Sequence, residues 1–389
     1  SPAMENIEDF DDEPSMLLPG GVSIEMLPKI SLHDHLDGGL RPETIIDIAK
    51  REGLPLPTED ADELAQWFID QCTGGTLPEY LKTFELTLSV MQHPEDRRRV
   101  AHEWVLDLAD EGVIYGEARW APEQHLRGGL TLEAVVESVQ AGLEDGMAQV
   151  MAEEGEIHVN QVLCAMRQGN RSLEIAQLAL HHRDSGVVGF DLAGPEAGFP
   201  AGDHREALEL LAQHQFPTTI HAGEADGLDS VRGALVDGRA LRLGHGIRLA
   251  EDVQIETQDD DAMQVSLGRV AQWVRDRGIA LECCPSSNVQ TGAFSQWGDT
   301  LADHPFDLFY QLGMAVTVGP DNRLMSGTSV SRELALLAEV FAYDLGDLQQ
   351  FQVNAAMAAF LPLEDRKALV DEIEEGFIEA VQQSRLARG

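Results

Sequence analysis

Lysine is scarce: Lys29, Lys50, Lys82 and Lys367 are the complete set in 389 residues. Lysine and arginine together number 27 against 68 aspartates and glutamates, a formal net charge of −41. A field of that sign repels phosphate backbones and anionic lipid, so no nucleic acid and no membrane surface is expected as a partner. Cysteine is also sparse. Cys72, Cys164, Cys283 and Cys284 form no Cys-x-x-Cys pair, which excludes a thiolate zinc site and a disulfide framework and favours a reducing compartment. No apolar run reaches the ~18 residues that a spanning helix needs. The first basic residue is Lys29, so the basic start of a secretory leader is missing, and a cytoplasmic protein is expected.

Hydrophobic residues make up 43% and charged residues 24%, the balance of a globular chain. Residues 1–24 read as an acidic, disordered tail, with Glu5, Glu8, Asp9, Asp11, Asp12 and Glu13 crowded together. Residues 25–389 read as a single domain. Short apolar runs at 29–33, 113–119, 157–166, 187–192, 217–221, 241–245, 279–283 and 314–318 are expected strands. Helical patterns at 132–153, 172–183, 204–214 and 267–277 lie between them. Eight strands with intervening helices predict an α/β fold, the (β/α)8 TIM barrel. A helical insertion is expected after the first strand, with helices near 42–52, 77–92 and 94–111. Extra C-terminal helices are expected near 330–344, 348–359 and 363–388. The acidic stretch 251–261 reads as a surface loop.

In this fold, residues just past the C-terminal ends of the strands face a common mouth. His33 and His35 stand two apart on a strand, so both imidazoles point to one side. With His221 and Asp321 at two other strand ends they supply three nitrogens and one carboxylate, a set suited to a catalytic zinc with a place left for water. Glu224, three residues past His221, is either a surface carboxylate or a group that reaches substrate. His245, between two glycines, is either a satisfied core histidine or a catalytic one. Beside a metal the two form an acid/base pair, since hydrolysis takes a proton from water and gives one to the leaving side.

The motifs SLHDHLDGGLRPETI, YGEARWAPEQH, VVGFDLAGPEAGFP, TIHAGEADG, LRLGHGIR, LECCPSSNVQTGA and DNRLMSGTSVSRE occur in this order, each at an expected strand end. As a set, from about residue 27 to about residue 360, they resemble the adenosine deaminase family. The resemblance implies a zinc hydrolase, with one Zn2+ per chain, that replaces the 6-amino group of adenosine or 2′-deoxyadenosine with oxygen. By the same resemblance His33, His35, His221 and Asp321 hold the zinc, and Glu224 donates a proton to purine ring nitrogen 1. His245 orients the attacking water, accepts its proton or steadies the developing charge. Asp37 holds the ribose 5′-hydroxyl, Gly194 meets the purine edge, and His35 lies against the substrate as well. Leu77, Tyr80, Leu81 and Phe84 fall where the family has an apolar helical lid, although their spacing alone fits an ordinary amphipathic helix.

Two departures stand out. Asn322 follows Asp321 where better-known members carry a second Asp, and Gly319-Pro320 replaces the commoner Asn-Thr. The resemblance implies that this position faces purine ring nitrogen 7, to which an Asn amide can donate without titrating. The alternatives are a sibling deaminase of adenine or a modified adenosine, another barrel metal hydrolase, and a non-catalytic nucleoside-binding protein. A purine nucleoside is the expected partner, and the sequence carries no signal for oligomeric state.

Overall fold

The computed structural model describes residues 13–74, 77–259 and 262–389, with side chains for all of these except 77–78, 257–259 and 262–263. Ten strands occur in this range: β1 Lys29–His35, β2 Val113–Trp120, β3 His158–Met166, β4 Val187–Ala193, β5 Thr219–Ala222, β6 Arg242–His245, β7 Val253–Asp259, β8 Ala262–Leu267, β9 Ala280–Cys283 and β10 Val316–Val318. β1 to β4 pair in parallel in chain order, and β5, β6, β9 and β10 do the same. A parallel bridge between Phe190 and Thr218 joins the two sets on one side, and one between Asp34 and Asp321 joins them on the other. The Asp321 N–H donates to the His33 carbonyl at 3.0 Å and the His35 N–H to the Asp321 carbonyl at 2.8 Å, which closes the barrel at its future active end. All eight expected runs become barrel strands. They read as near-continuous apolar segments because helices cover the outside of a parallel sheet.

The first crossover carries the helices Pro42–Glu52, Ala61–Cys72, Leu77–Ser89 and Pro94–Asp110. The second of these is an addition to the expected set; it buries Leu64, Phe68 and Cys72, four residues apart, and Asp60 caps its first turn by accepting from Glu63 N–H. After β10 the helices Val330–Phe341, Leu345–Ala358 and Leu363–Arg388 wrap the outside. No helix among the described residues is long and apolar enough to cross a membrane.

Two expectations are corrected. The stretch 251–261 is not all loop, because β7 and β8 form an antiparallel hairpin in which Val253 pairs Leu267 and Ile255 pairs Val265. Residues 260–261 lie outside the described residues. The period-two alternation was masked by the acidic content of the segment. The tail expected at 1–24 docks from residue 13 onward: Leu18, Val22 and Ile24 are buried, and Ser15 N–H donates to Glu339 Oε1 at 3.0 Å. Residues 1–12 lie outside the described residues.

Charge occupies the centre of the barrel. Glu117, Arg119, Asp191, Arg242 and Glu282 are fully buried, each on a strand. Arg242 reaches Glu117 at 2.7 Å and Glu282 at 2.6 Å, while Arg119 reaches Glu282 at 2.9 Å and Asp191 at 3.2 Å. Removing one member of such a buried set strands the others and costs on the order of 3–5 kcal/mol. The set stands directly beneath the strand ends that carry the histidines.

Candidate active site

His33 and His35 share one face of β1, while Asp34 between them turns outward to Arg323 at 2.9 Å and accepts from Trp104 Nε1 at 3.0 Å. That alternation is the pleat of a strand. His33 Nε2 lies 3.2 Å from His35 Nε2, and both stand beside Asp321 Oδ1, at 3.0 and 3.1 Å. One ligand atom from each of His33, His35, His221 and Asp321 falls within 4.8 Å of every other.

Two of the three rings have a carboxylate on their far side. His33 Nδ1 sits 3.0 Å from Glu282 Oε1, and His221 Nδ1 sits 2.7 Å from Asp191 Oδ2. Carboxylates behind ligating imidazoles fix the ring and leave Nε2 free for an ion, an arrangement typical of metal centres. Burial, with the Arg119 guanidinium behind it, pulls the His33 pKa down to about 4, so the ring is neutral at pH 7. Burial would lift the Asp191 and Glu282 carboxyls, but charged neighbours prevail. His221 and Arg119 hold Asp191 at about 2, and Arg119, Arg242 and His33 hold Glu282 well below the usual carboxylate range. These residues therefore fit a divalent cation in both donor chemistry and support.

Glu224 and His245 meet beside this group. His245 Nε2 is 3.1 Å from Glu224 Oε2 and 3.6 Å from Asp321 Oδ2. Burial raises the Glu224 carboxyl above its ordinary value. His245 (φ 82°) and Asp321 (φ 58°) adopt left-handed backbone, which costs a non-glycine residue on the order of 1–3 kcal/mol and gathers at functional sites.

The remaining sequence-predicted residues differ in where they lie. Asp37 follows β1, is buried, and has its carboxyl raised by that burial. Asn322 packs its amide against Gly38, where a Cβ would come within 2.0 Å of Asn322 Oδ1. Gly194 ends β4 at φ 93°, a conformation that glycine adopts freely. Tyr80 and Phe84 pack 5.3 Å apart on the helix Leu77–Ser89, which lies over the turn Leu36–Gly38. Burial raises the Tyr80 hydroxyl, and the charges of Asp321 and Glu224 add to this. Leu81 instead points outward, 55% exposed, and is no part of the lid. The Leu77 side chain lies outside the described residues.

Several groups escaped the sequence reading. Asp191 and Glu282 are the carboxylates behind the histidines, and Ser287 Oγ donates to Asp321 Oδ2 at 2.7 Å. The Glu196 carboxylate, also buried, accepts from the N–H groups of Gly223, Glu224 and Ala225 at 2.8, 3.1 and 2.9 Å, and from Ser230 Oγ at 2.5 Å. The signal that could have found Asp191 and Glu282 is an acid inside a run otherwise read as a buried strand.

The family model for adenosine deaminase matches residues 28–376. Adenosine deaminase 1 of Streptomyces coelicolor is 49% identical over 363 residues, which span 93% of this chain and 90% of that one. The crystal structure of an adenine deaminase from Arthrobacter aurescens superposes with a TM-score of 0.75 at 26% identity, covering 90% of this chain and 98% of that one. An amidohydrolase from Burkholderia ambifaria, solved with bound zinc, has the same fold, with a TM-score of 0.78 at 20% identity and coverage of 93% and 94%.

Proposed function

The chain belongs to the adenosine deaminase family, and from that premise we propose that it hydrolyses adenosine and 2′-deoxyadenosine to inosine and 2′-deoxyinosine with release of ammonia. One zinc ion per chain, held by His33, His35, His221 and Asp321, is its cofactor, and residues 25–389 form one catalytic domain. The observation that carries this reading is the convergence of those four ligand atoms within 4.8 Å of one another, with Glu224 and His245 alongside. Bound there, zinc acts as a Lewis acid that lowers the pKa of water toward neutrality.

The chain's own residues do the rest. Glu224, its carboxyl raised by burial, gives a proton to purine ring nitrogen 1 and leaves carbon 6 electrophilic. His245, its Nε2 3.1 Å from Glu224 Oε2, meets the attacking oxygen. Asp37 anchors the ribose 5′-hydroxyl, the Gly194 backbone approaches the purine edge, and Asn322 donates to ring nitrogen 7. Tyr80 and Phe84 close over the nucleoside and exclude water. Cys72, Cys164, Cys283 and Cys284 are all unpaired and buried, which fits a reducing compartment, and we place the enzyme in the cytoplasm.

The ultraviolet change on mixing zinc-replete protein with adenosine, 2′-deoxyadenosine and adenine tests the assignment. Both nucleosides are expected to be converted, and adenine at a kcat/KM at least ~10²-fold lower, because it forgoes the ribose contacts. Faster turnover of adenine would overturn the nucleoside assignment and favour the activity named for the Arthrobacter aurescens structure.

A further inference from the structure

A directional chain of hydrogen bonds runs from a backbone amide to His245. The Phe306 N–H donates to His304 Nδ1 at 2.9 Å. A backbone amide can only donate, so Nδ1 accepts and the neutral ring carries its proton on Nε2. The ring is neutral: burial is the main cause of a pKa lowered to about 3. His304 Nε2 faces Asn288 Oδ1 at 3.0 Å, and the Cys284 N–H donates to that same oxygen at 3.2 Å. The second donor independently fixes which end of the amide is oxygen. Asn288 Nδ2 therefore faces His245 Nδ1, at 3.0 Å, and an amide nitrogen can only donate. His245 Nδ1 accepts, and the neutral His245 ring holds its proton on Nε2. That nitrogen is buried and has no well-aligned hydrogen-bond partner among the described residues, although Glu224 and Asp321 oxygens lie near it.

We infer that Asn288 and His304 are positioning residues that hold His245 in its Nε2–H form, so that His245 donates a hydrogen bond to the attacking oxygen and does not take its proton. The inference rests on the deaminase reading for its catalytic consequence, though not for the tautomer itself. An Nε2 that already bears a proton has no lone pair left to act as a base.

The protons then pass through Glu224. Its acid form protonates ring nitrogen 1, and the oxygen of water bonds to carbon 6. The carboxylate collects the first proton shed by that oxygen and hands it to the 6-amino group, and the carbon–nitrogen bond breaks as ammonia leaves. The remaining hydroxyl proton returns to Glu224 as the carbonyl forms. Adenosine and water are consumed, inosine and ammonia are produced, and Glu224 ends protonated as it began.

The test is a nitrogen-15 spectrum of the zinc-loaded protein with labelled histidine, with His245 assigned through the peaks lost in His245→Gln. His245 and His304 are both expected to show a protonated Nε2 and a bare Nδ1. Asn288→Asp keeps the shape but replaces the amide donor by an acceptor, so the His245 proton should move to Nδ1. A misplaced tautomer at a catalytic histidine has cost ~10⁴-fold elsewhere, and here kcat for adenosine should fall at least ~10²-fold with KM within ~3-fold. An asparagine with a purely structural role would leave both tautomer and kcat unmoved. A protonated Nδ1 on His245 in the unmutated protein would overturn the inference, as would an Asn288→Asp protein that keeps the Nε2–H form. The spectrum of the unmutated protein decides even if the variant fails to fold. Because it is read without turnover, it fails or succeeds separately from the adenosine assay.

Discussion

The role proposed for Asn322 rests on one amide. It is buried beside Asp321, its Oδ1 lacks a hydrogen-bond partner among the described residues, and Gly38 leaves the room in which it lies. An amide donates at every pH, whereas a carboxylic acid donates while protonated and then repels the lone pair it should hold. Asn322→Asp should therefore add a limb to the pH–rate profile. Activity near that of the unmutated enzyme is expected at low pH, where the new carboxyl is protonated, with a fall of ~10-fold in kcat/KM as pH rises through its pKa. Burial and the neighbouring Asp321 charge push that pKa upward, toward the working range. Profiles of identical shape would show that Asn322 does not govern the pH response. At this scale the cluster of His33, His35, His221 and Asp321 was legible because strand alternation puts His33 and His35 on one face, and because strand ends converge in a barrel. Asp191, Glu282, Asn288 and His304 were not, since each acts through another residue and their meeting depends on strands far apart in sequence.

The loop after β5 is held from another element. Glu196, beyond the end of β4, collects three consecutive backbone N–H groups at 223–225, and so sets the place of the Glu224 backbone. A carboxylate accepting several amides is a strong clamp in a buried setting. Glu196→Gln can satisfy only part of it, because the new amide turns its N–H groups toward donors. Faster hydrogen exchange at the Gly223, Glu224 and Ala225 amides is expected, with a ~10-fold fall in kcat and little change in KM. Unchanged exchange at those three positions would remove Glu196 from this role. Elements themselves were mostly readable, since the long apolar strands and amphipathic helices follow one period each. The hairpin of β7 and β8 was hidden by acidic residues in a two-stranded ribbon, where little burial marks the pattern. The docking of residues 13–24 was hidden because Leu18, Val22 and Ile24 supply its anchorage amid residues that read as a polar tail.

The whole molecule combines an acidic exterior with a charged centre, and the two act differently. Exterior carboxylates are hydrated and screened by salt, whereas Glu117, Arg119, Asp191, Arg242 and Glu282 are buried and ion-paired with one another. That central set stiffens the floor on which His33 and His221 stand, through Glu282 and Asp191. Such support from behind the imidazoles is what specific metal binding requires. The central claim, a hydrolytic deaminase that depends on one ion held by four residues from three strand ends, is tested most directly by removal and return of the metal. Protein stripped by a chelator should leave adenosine unchanged in the ultraviolet, and activity should climb linearly with added zinc and level off at one equivalent per chain, with a higher melting temperature on binding. Full activity in rigorously metal-free protein, or recovery that demands a second equivalent, would contradict it.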